Sequence, residues 1–400
     1  MMNAYIYDGL RSPFGRHAGA LAPVRPDDLL AGVIKTVVAR NPFKPESYED
    51  SVMGCTNQAG EDARNVARHA ALLAGLPPAI GGITVNRLCG SGLAAICDAA
   101  RAASSGQGEL FIAGGVESMS RAPFVMAKGE SAYAREVRVF DSTIGARFPN
   151  PRIGKSFGQD TMPETADNVG RDLAIGREAS DRFALRSQES YARAKADGFF
   201  EAEITPVSVP GAKKGTETLA ALDEHPRPNT TLERLQELKP LFPNGVVTAG
   251  NASGINDGAG ALIVGTREIG EKAGKAPMAR VVSAAIAGVE PGVMGLGPVP
   301  AAKKALQRAG LALKDMDVIE INEAFATQVL GCLKLLELAD DDARVNPNGG
   351  AIAVGHPLGA SGARIALTAI RELHRRQARY ALVSMCIGVG QGIAAILERV

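Results

Sequence analysis

Three reactive side chains stand in glycine-rich settings toward the two ends of the chain. They are Cys89 in Asn86-Arg87-Leu88-Cys89-Gly90-Ser91-Gly92, His356 in Gly355-His356-Pro357-Leu358-Gly359-Ala360-Ser361-Gly362, and Cys386 in Cys386-Ile387-Gly388-Val389-Gly390-Gln391-Gly392. A thiol, an imidazole and a second thiol make a nucleophile, a base and a second acid/base, a set suited to carbon–carbon bond chemistry on thioesters. The glycines leave backbone amides bare, so a substrate oxygen can approach them.

Each reactive group has a bland alternative. Most free cysteines are buried packing residues, which suits Cys97 in an Ala-rich helix and Cys332 in an apolar one. Cys89 is different: it sits between the strand Ile83-Thr84-Val85 and a helix opened by Gly90-Ser91-Gly92. At such a helix N-terminus the thiol pKa is expected to fall. His17, His69, His225 and His374 lie in polar or helical, surface-like contexts, whereas His356 follows an apolar run, Ala351-Ile352-Ala353-Val354, read as a strand. The glycines after Cys386 do not make a dinucleotide fingerprint, because only 8 residues follow Gly392 and no βαβ unit fits there. They read instead as oxyanion-binding amides. Asn322 ends the strand Val318–Ile321 and is either a helix N-cap or the holder of a catalytic water.

The elements that must position these groups look duplicated. Residues 81–116 run strand, Gly-Ser-Gly turn, helix, strand; residues 350–390 do the same, with a helix at 363–376 and a strand at 380–384. Gly92 lies 22 residues before Gly114, and Gly362 lies 22 before Ser384. The strand 4–8 pairs more loosely with 280–286, the helix 28–40 with 300–310, and the strand 50–54 with 317–321. Short apolar strands alternating with amphipathic helices predict βαβ units, mostly parallel sheets and an α/β class. Residues 121–250 are richer in Pro, charge and turn signals, with one good helix near Ser180, and read as an inserted loop domain lying over the first domain. The expected division is 1–120 with 251–276 as the first domain, 121–250 as the insertion and 277–400 as the second domain.

Composition excludes several classes. The 400 residues are enough for two domains; 46% are hydrophobic and 22% charged, as in a globular enzyme. Lys+Arg 44 against Asp+Glu 43 leaves a net charge of +1, which argues against bulk nucleic-acid binding but leaves room for a basic patch holding a phosphorylated cofactor. No run of about 18 apolar residues predicts a membrane span, and the first residues lack a secretory signal. Five cysteines without a CxxC pair predict no disulfide framework, no metal site and a reducing cytoplasm.

Taken in order, six segments resemble the thiolase family over essentially the whole chain. They are the Cys89 segment, Gly114-Gly115-Val116-Glu117-Ser118-Met119-Ser120, Asn251-Ala252-Ser253-Gly254-Ile255-Asn256-Asp257-Gly258, Asn322-Glu323-Ala324-Phe325, Gly355-His356-Pro357 and Cys386-Ile387-Gly388. The resemblance implies the thiolase fold, two duplicated domains layered α/β/α/β/α. It implies Cys89 as acyl-accepting nucleophile, His356 as its activator and Cys386 as the shuttle for the substrate α-proton. Asn322, through a water, and His356 would form one oxyanion hole; the amides of Cys89 and Gly388 would form the other. Coenzyme A would be a co-substrate rather than a tightly bound cofactor. Arg227 would lie on its adenine, Ala249 and Ser253 on its pantetheine arm, Phe242 and Phe325 along its tunnel, and Met162 beside the acyl group. A homo-oligomer, a dimer or a dimer of dimers joined by the loop 121–150, is implied as well.

The segment Thr161-Met162-Pro163-Glu164 replaces the His-Met-Gly of short-chain biosynthetic thiolases. With Asp141–Gly145 and Asp340–Gly350 it resembles the members acting on 3-oxoadipyl-CoA in aromatic-compound degradation. Two other readings stand beside this one: an acetyl-CoA acetyltransferase acting on acetoacetyl-CoA, and a non-catalytic acyl-CoA binding protein. A dicarboxylic substrate needs a cation, and Arg147 is the favoured candidate, with a surface ion pair as its alternative.

Overall fold

Runs of apolar residues that alternate between two covered faces build the frame of this protein. The structure is a computed structural model and describes residues 2–211, 213 and 215–400. The first part of the chain gives β1 (Ala4–Arg11), β2 (Gly15–Arg16), α1 (Pro26–Ala39), β3 (Asp50–Gly54), α2 (Val66–Leu73), β4 (Ile83–Val85), α3 (Ser91–Ser104) and β5 (Leu110–Ser118). The middle gives β6 (Phe124–Met126), β7 (Val139–Asp141), α4 (Pro151–Phe157), α5 (Met162–Asp172), α6 (Arg177–Ala196), β8 (Val207–Pro210), β9 (Glu217–Ala220) and α7 (Leu232–Gln236). After β10 (Asn256–Gly265) and α8 (Arg267–Ala273) comes the second half. It holds β11 (Ala279–Gly288), α9 (Pro298–Ala309), β12 (Val318–Ile321), α10 (Ala326–Leu335), α11 (Ala351–Val354), α12 (Leu358–Arg376), β13 (Tyr380–Ile387) and β14 (Gln391–Arg399).

The main strands join in one path, β12-β13-β14-β11-β1-β10-β5-β3-β4. Along that path only β3–β4, β3–β5 and β12–β13 pair in parallel. The expectation of mostly parallel sheets is corrected here, and the cause is local. β14 follows β13 through a turn of three residues, Gly388–Gly390, which can only return antiparallel. β10 enters between β1 and β5 and is antiparallel to both. The two halves meet through β1 and β11, with Ala4 opposite Val281.

Side chains of period two explain the layers. Along β1, Ala4 and Ile6 face the central layer while Tyr5 and Tyr7 face α1 and α2. Along β13, Ala381 and Val383 face the centre while Leu382 faces α9 and α10. The central layer is α3 and α12, packed on each other through Leu93, Ala94, Ala363 and Ala366. This is the α/β/α/β/α arrangement. A Cβ on Gly92 would meet Gly359 O at 2.5 Å, and one on Gly362 would collide with Leu93 N. Glycines thus let the first turns of α3 and α12 touch, which brings the residues just before them, Cys89 and His356, to the same end of the molecule. Gly362→Ala would force these two helices apart.

Two further expectations are corrected. Residues 351–354 form the short helix α11 rather than a strand; a four-residue apolar run carries no period that separates the two. The middle stretch packs mainly on the second half, not the first. α5 lies on the segment Pro291–Leu296 and on α10, α6 lies on α10 and α11, and Val169, Phe183 and Ala184 share a core with Val329 and Leu330. It is also tied to the first half: Val209 enters the core of β1 and α1, Phe14 packs with Tyr191 and Phe200, and Arg11 donates to Glu203 at 2.7 Å and to both oxygens of Asp223 at 2.7 and 2.9 Å, all buried. Among the described residues no helix is long and apolar enough to cross a membrane.

Candidate active site

Cys89 sits on a tight connection between β4 and α3. Leu88 takes φ +46°, a left-handed conformation that turns the chain sharply before the thiol. The turn is pinned by its own polar groups: the Ser91 hydroxyl donates to Leu88 C=O at 2.6 Å and accepts from the Arg87 N–H at 2.8 Å. Part of the residue reaches the surface, while the thiol itself is enclosed. Burial pushes it up to about 11, against the opposing pull of the Gly388 N–H that points at it. The expected lowering by the α3 N-terminus does not prevail. A helix terminus contributes about 0.3–1 kcal/mol, less than the roughly 3 kcal/mol that a rise from 9 to about 11 represents.

His356 is held from three sides. Gly355 has φ +105°, and a side chain there would run into Asn256. Asn256 Oδ1 accepts the His356 N–H at 2.9 Å. The ring Nδ1 lies 2.6 Å from Ser361 Oγ, and that hydroxyl donates to Pro357 C=O at 2.9 Å. Asn322 Nδ2, a donor, faces the other ring nitrogen, Nε2, at 3.4 Å, and with the Ser361 proton on Pro357 C=O the hydroxyl accepts from Nδ1–H. This assigns the tautomer: Nε2 carries the lone pair and is the basic nitrogen. Burial, helped by the charge of Arg364, lowers the ring to about 3, so the imidazole is neutral at rest.

Asn322 Nδ2 is 3.4 Å from His356 Nε2. The N-cap alternative for Asn322 is overturned, because α10 begins only at Ala326 with Phe325 as its cap residue. Asn322 Oδ1 is buried and has no hydrogen-bond partner among the described residues. Cys386 lies on β13, fully buried among Ala166, Val247, Met294, Ala324 and Phe325. Burial first, and the nearby Cys89 second, raise its thiol well above the ordinary value. Gly388, in the β13–β14 turn, offers its N–H to Cys89 and lies close to Met162, whose Sδ is 3.7 Å from where a Cβ would stand.

A cleft of about 300 Å³ is lined by Arg227, Ala249, His225, Gln188 and Arg234 among others, and none of the reactive side chains is in its lining. Its Ala249–Gly250 wall continues to Ser253, whose N–H donates to Ala324 C=O at 2.9 Å, next to Phe325 and Cys386. Arg227 and Ala249 thus line one cleft, while Ser253 and Phe325 lie beyond its lining, next to Cys386. Phe242 lies outside that lining, in a turn closed by the Gly245 N–H on its carbonyl at 3.1 Å. His225, read from sequence as surface-like, lines the cleft, and burial lowers it to about 4. Arg147 donates to the main-chain carbonyls of Ser142, at 3.3 Å, and Asn57. It therefore clamps this loop, and among the described residues it has no ion-pair partner.

Sequence reasoning gave no role to Ser361, Asn256 or Glu117. Glu117 is buried and accepts N–H groups from Thr56 at 3.1 Å, Asn57 at 3.0 Å and Gly359 at 2.8 Å. It rivets the Cys89 half to the His356 half. Ser361 could have been found: it lies five residues after His356, one turn into the helix that follows it.

A layered duplicated fold with two facing thiols and a neutral imidazole defines a class, and the comparisons agree. Residues 4–268 match the model of the thiolase N-terminal domain and residues 275–399 that of the thiolase C-terminal domain. The chain belongs to the thiolase family. Thiolases are acyltransferases that use CoA as a substrate. Among its relatives, the 3-oxoadipyl-CoA/3-oxo-5,6-dehydrosuberyl-CoA thiolase of Escherichia coli K12 is 60% identical over the full length of both chains. The beta-ketoadipyl-CoA thiolase of Acinetobacter baylyi is 55% identical over the same extent. Among solved structures, the acetyl-CoA acetyltransferase of Bacillus anthracis superposes with a TM-score of 0.92 at 37% identity, over 100% of this chain and 99% of that one.

Proposed function

We propose that this thiolase cleaves 3-oxoadipyl-CoA with CoA, giving succinyl-CoA and acetyl-CoA through a succinyl-Cys89 intermediate. The observation that carries the chemistry is the His356 tautomer, which leaves Nε2 free to take a proton. Cys89 gives its proton to Nε2 and attacks the 3-keto carbon. The 3-keto oxygen accepts from the Cys89 and Gly388 amides as its charge develops, while the imidazolium Nε2–H and a water held by Asn322, whose orphaned Oδ1 suits such a partner, receive the thioester oxygen of the forming enolate. The C2–C3 bond breaks, its electron pair leaves as the acetyl-CoA enolate, and the Cys386 thiol protonates C2. Next, Cys386 takes the proton of free CoA. The CoA thiolate attacks the succinyl thioester, whose carbonyl oxygen lies on the Cys89 and Gly388 amides. Cys89 leaves and recovers its proton from His356. Two easier displacements replace one hard one.

The substrate rests on the full-length relatives acting on 3-oxoadipyl-CoA. Acetoacetyl-CoA is the second reading, favoured by the likeness to an acetyl-CoA acetyltransferase. Comparing kcat/KM on the two substrates decides: a preference for acetoacetyl-CoA would overturn the first. A non-catalytic binder would need neither thiol. In the same proposal the 121–250 segment holds CoA through Arg227, and Ala249, Ser253, Phe325 and Phe242 follow the pantetheine arm. The assembly is a dimer of dimers, because the β6–β7 hairpin exposes Phe124 and Met126, at 76% and 65%, with Tyr133 at 99%. Light scattering should give a tetramer, and Phe124→Ser with Met126→Ser should halve the mass; a stable micromolar monomer in the parent would end this reading. The cytoplasm is the compartment in which its five free thiols stay reduced.

A further inference from the structure

The turn that carries the Gly388 amide also carries a side chain that the reaction, as described, does not use. Val389 is a β-branched residue with φ +63°, followed by Gly390 at φ +78°. Two successive positive φ values are what Gly or Asn adopt at little cost, and a valine there is out of place. Packing does not compensate, since Val389 is 61% exposed. The turn is imposed from behind. The Val289 N–H donates to Gly390 C=O at 2.8 Å, Ile387 pairs with Gln391, and a side chain on Gly390 would collide with Val289. The frame therefore fixes the backbone of Val389 and leaves its isopropyl group exposed, one residue from the Gly388 amide. Gly388 then stands between two exposed apolar side chains, Val389 and the 38% exposed Met162.

We propose that Val389 is a specificity-determining residue, an apolar wall of the acyl subsite that contacts the methylenes of a longer acyl chain on Cys89. An acyl carbonyl on Cys89 that accepts from Gly388 N–H must send its chain along this turn. A succinyl group has two methylenes to lay against the isopropyl group, and an acetyl group has none. Contact with substrate is what makes a strained, exposed valine useful where glycine would fit at no conformational cost. The inference rests on the longer-chain reading of the substrate given above.

The test measures kcat/KM of the parent, Val389→Ala and Val389→Gly on acetoacetyl-CoA, 3-oxohexanoyl-CoA and 3-oxoadipyl-CoA. Both variants should lower the ratio of either six-carbon substrate to acetoacetyl-CoA by about five- to tenfold, as expected for one or two methylenes losing their apolar neighbour. An unchanged ratio in both variants overturns the proposal. So does a loss confined to Val389→Gly and equal on all three substrates, which would mean that the turn acts only by aiming the Gly388 amide. A change in mass by light scattering overturns it too, by showing that Val389 meets another subunit. The parent rate on 3-oxoadipyl-CoA alone judges the proposed function, while 3-oxohexanoyl-CoA reads Val389 independently of the distal carboxylate.

Discussion

The two halves run through one order of elements and hold different reactive groups at the ends of matching helices. α3 opens two residues after Cys89, and α12 opens two residues after His356. In the first half β4 is a three-residue strand beside β3; in the second its place is taken by a single bridge, Val345 to Ile319, followed by α11. β13 returns to β14 in three residues, whereas β5 and β10 are separated by the whole 119–255 stretch. Burial differs as well. Cys89 keeps part of its surface exposed, while His356 and Cys386 are 4% and 0% exposed. The duplicated frame supplies two helix ends at one place.

The contrast breaks most sharply at the first half's thiol. Cys89→Ser should lower turnover on the order of 10³-fold or more, because a hydroxyl cannot supply a thiolate, while the fold stays intact. Iodoacetamide should label Cys89 and substrate should block it; activity that dies with label on another cysteine would refute the assignment. On the other side, Cys386→Ala should slow exchange of the acetyl-CoA methyl protons with deuterated water by about 10²–10⁴-fold, with a smaller effect on acylation of Cys89. Parent-like exchange would remove Cys386 from proton transfer.

The resting charge state offers a finer test. A thiol at about 11 beside an imidazole at about 3 is a neutral pair at pH 7. Below pH 11 the thiolate fraction rises with pH, so alkylation of Cys89 in the free enzyme should climb about tenfold per pH unit without a neutral plateau. A plateau from pH 6 upward would reveal a thiolate–imidazolium pair instead. The smallest effect concerns the rivet between the halves. Glu117 offers two acceptor oxygens; a glutamine side chain in its place would offer one, and its NH₂ would face an N–H donor. Glu117→Gln should therefore cost about 1–3 kcal/mol, read as a lower urea midpoint; an unchanged midpoint would mean that the halves do not depend on this carboxylate.

Much of this was legible in the residues. β3, β4, β5 and β12 were readable because their apolar runs end in Gly, Asn or turn signals, and the central helices because Gly92 and Gly362 sit at one offset from the following strands. Cys89, His356 and Cys386 stood out through their glycine neighbours. The direction of the Cys89 shift was not legible, because it depends on how much protein closes over the thiol, and burial is a property of the whole fold. The packing of α5 and α6 on α10 was equally hidden: an amphipathic face declares that it will be covered, not by what. Asn256 acts from the first residue of β10, 100 residues before His356, and nothing in its type or spacing marks that hydrogen bond.

The place of β1 sets an order of events for the growing chain. Tyr5 lies opposite Gly265 on one side and Arg280 on the other, so β1 meets its first partner strand only at Gly260–Gly265 and its second only at Ala279–Val281. At synthesis rates of roughly 5–20 residues per second, it waits on the order of 15–60 seconds as an apolar segment with free edges, open to the wrong neighbour. Its pairing closes the longest loop in the sheet, and long closures are slow. The first strand to leave the ribosome forms the seam that joins the two halves, and that seam closes late.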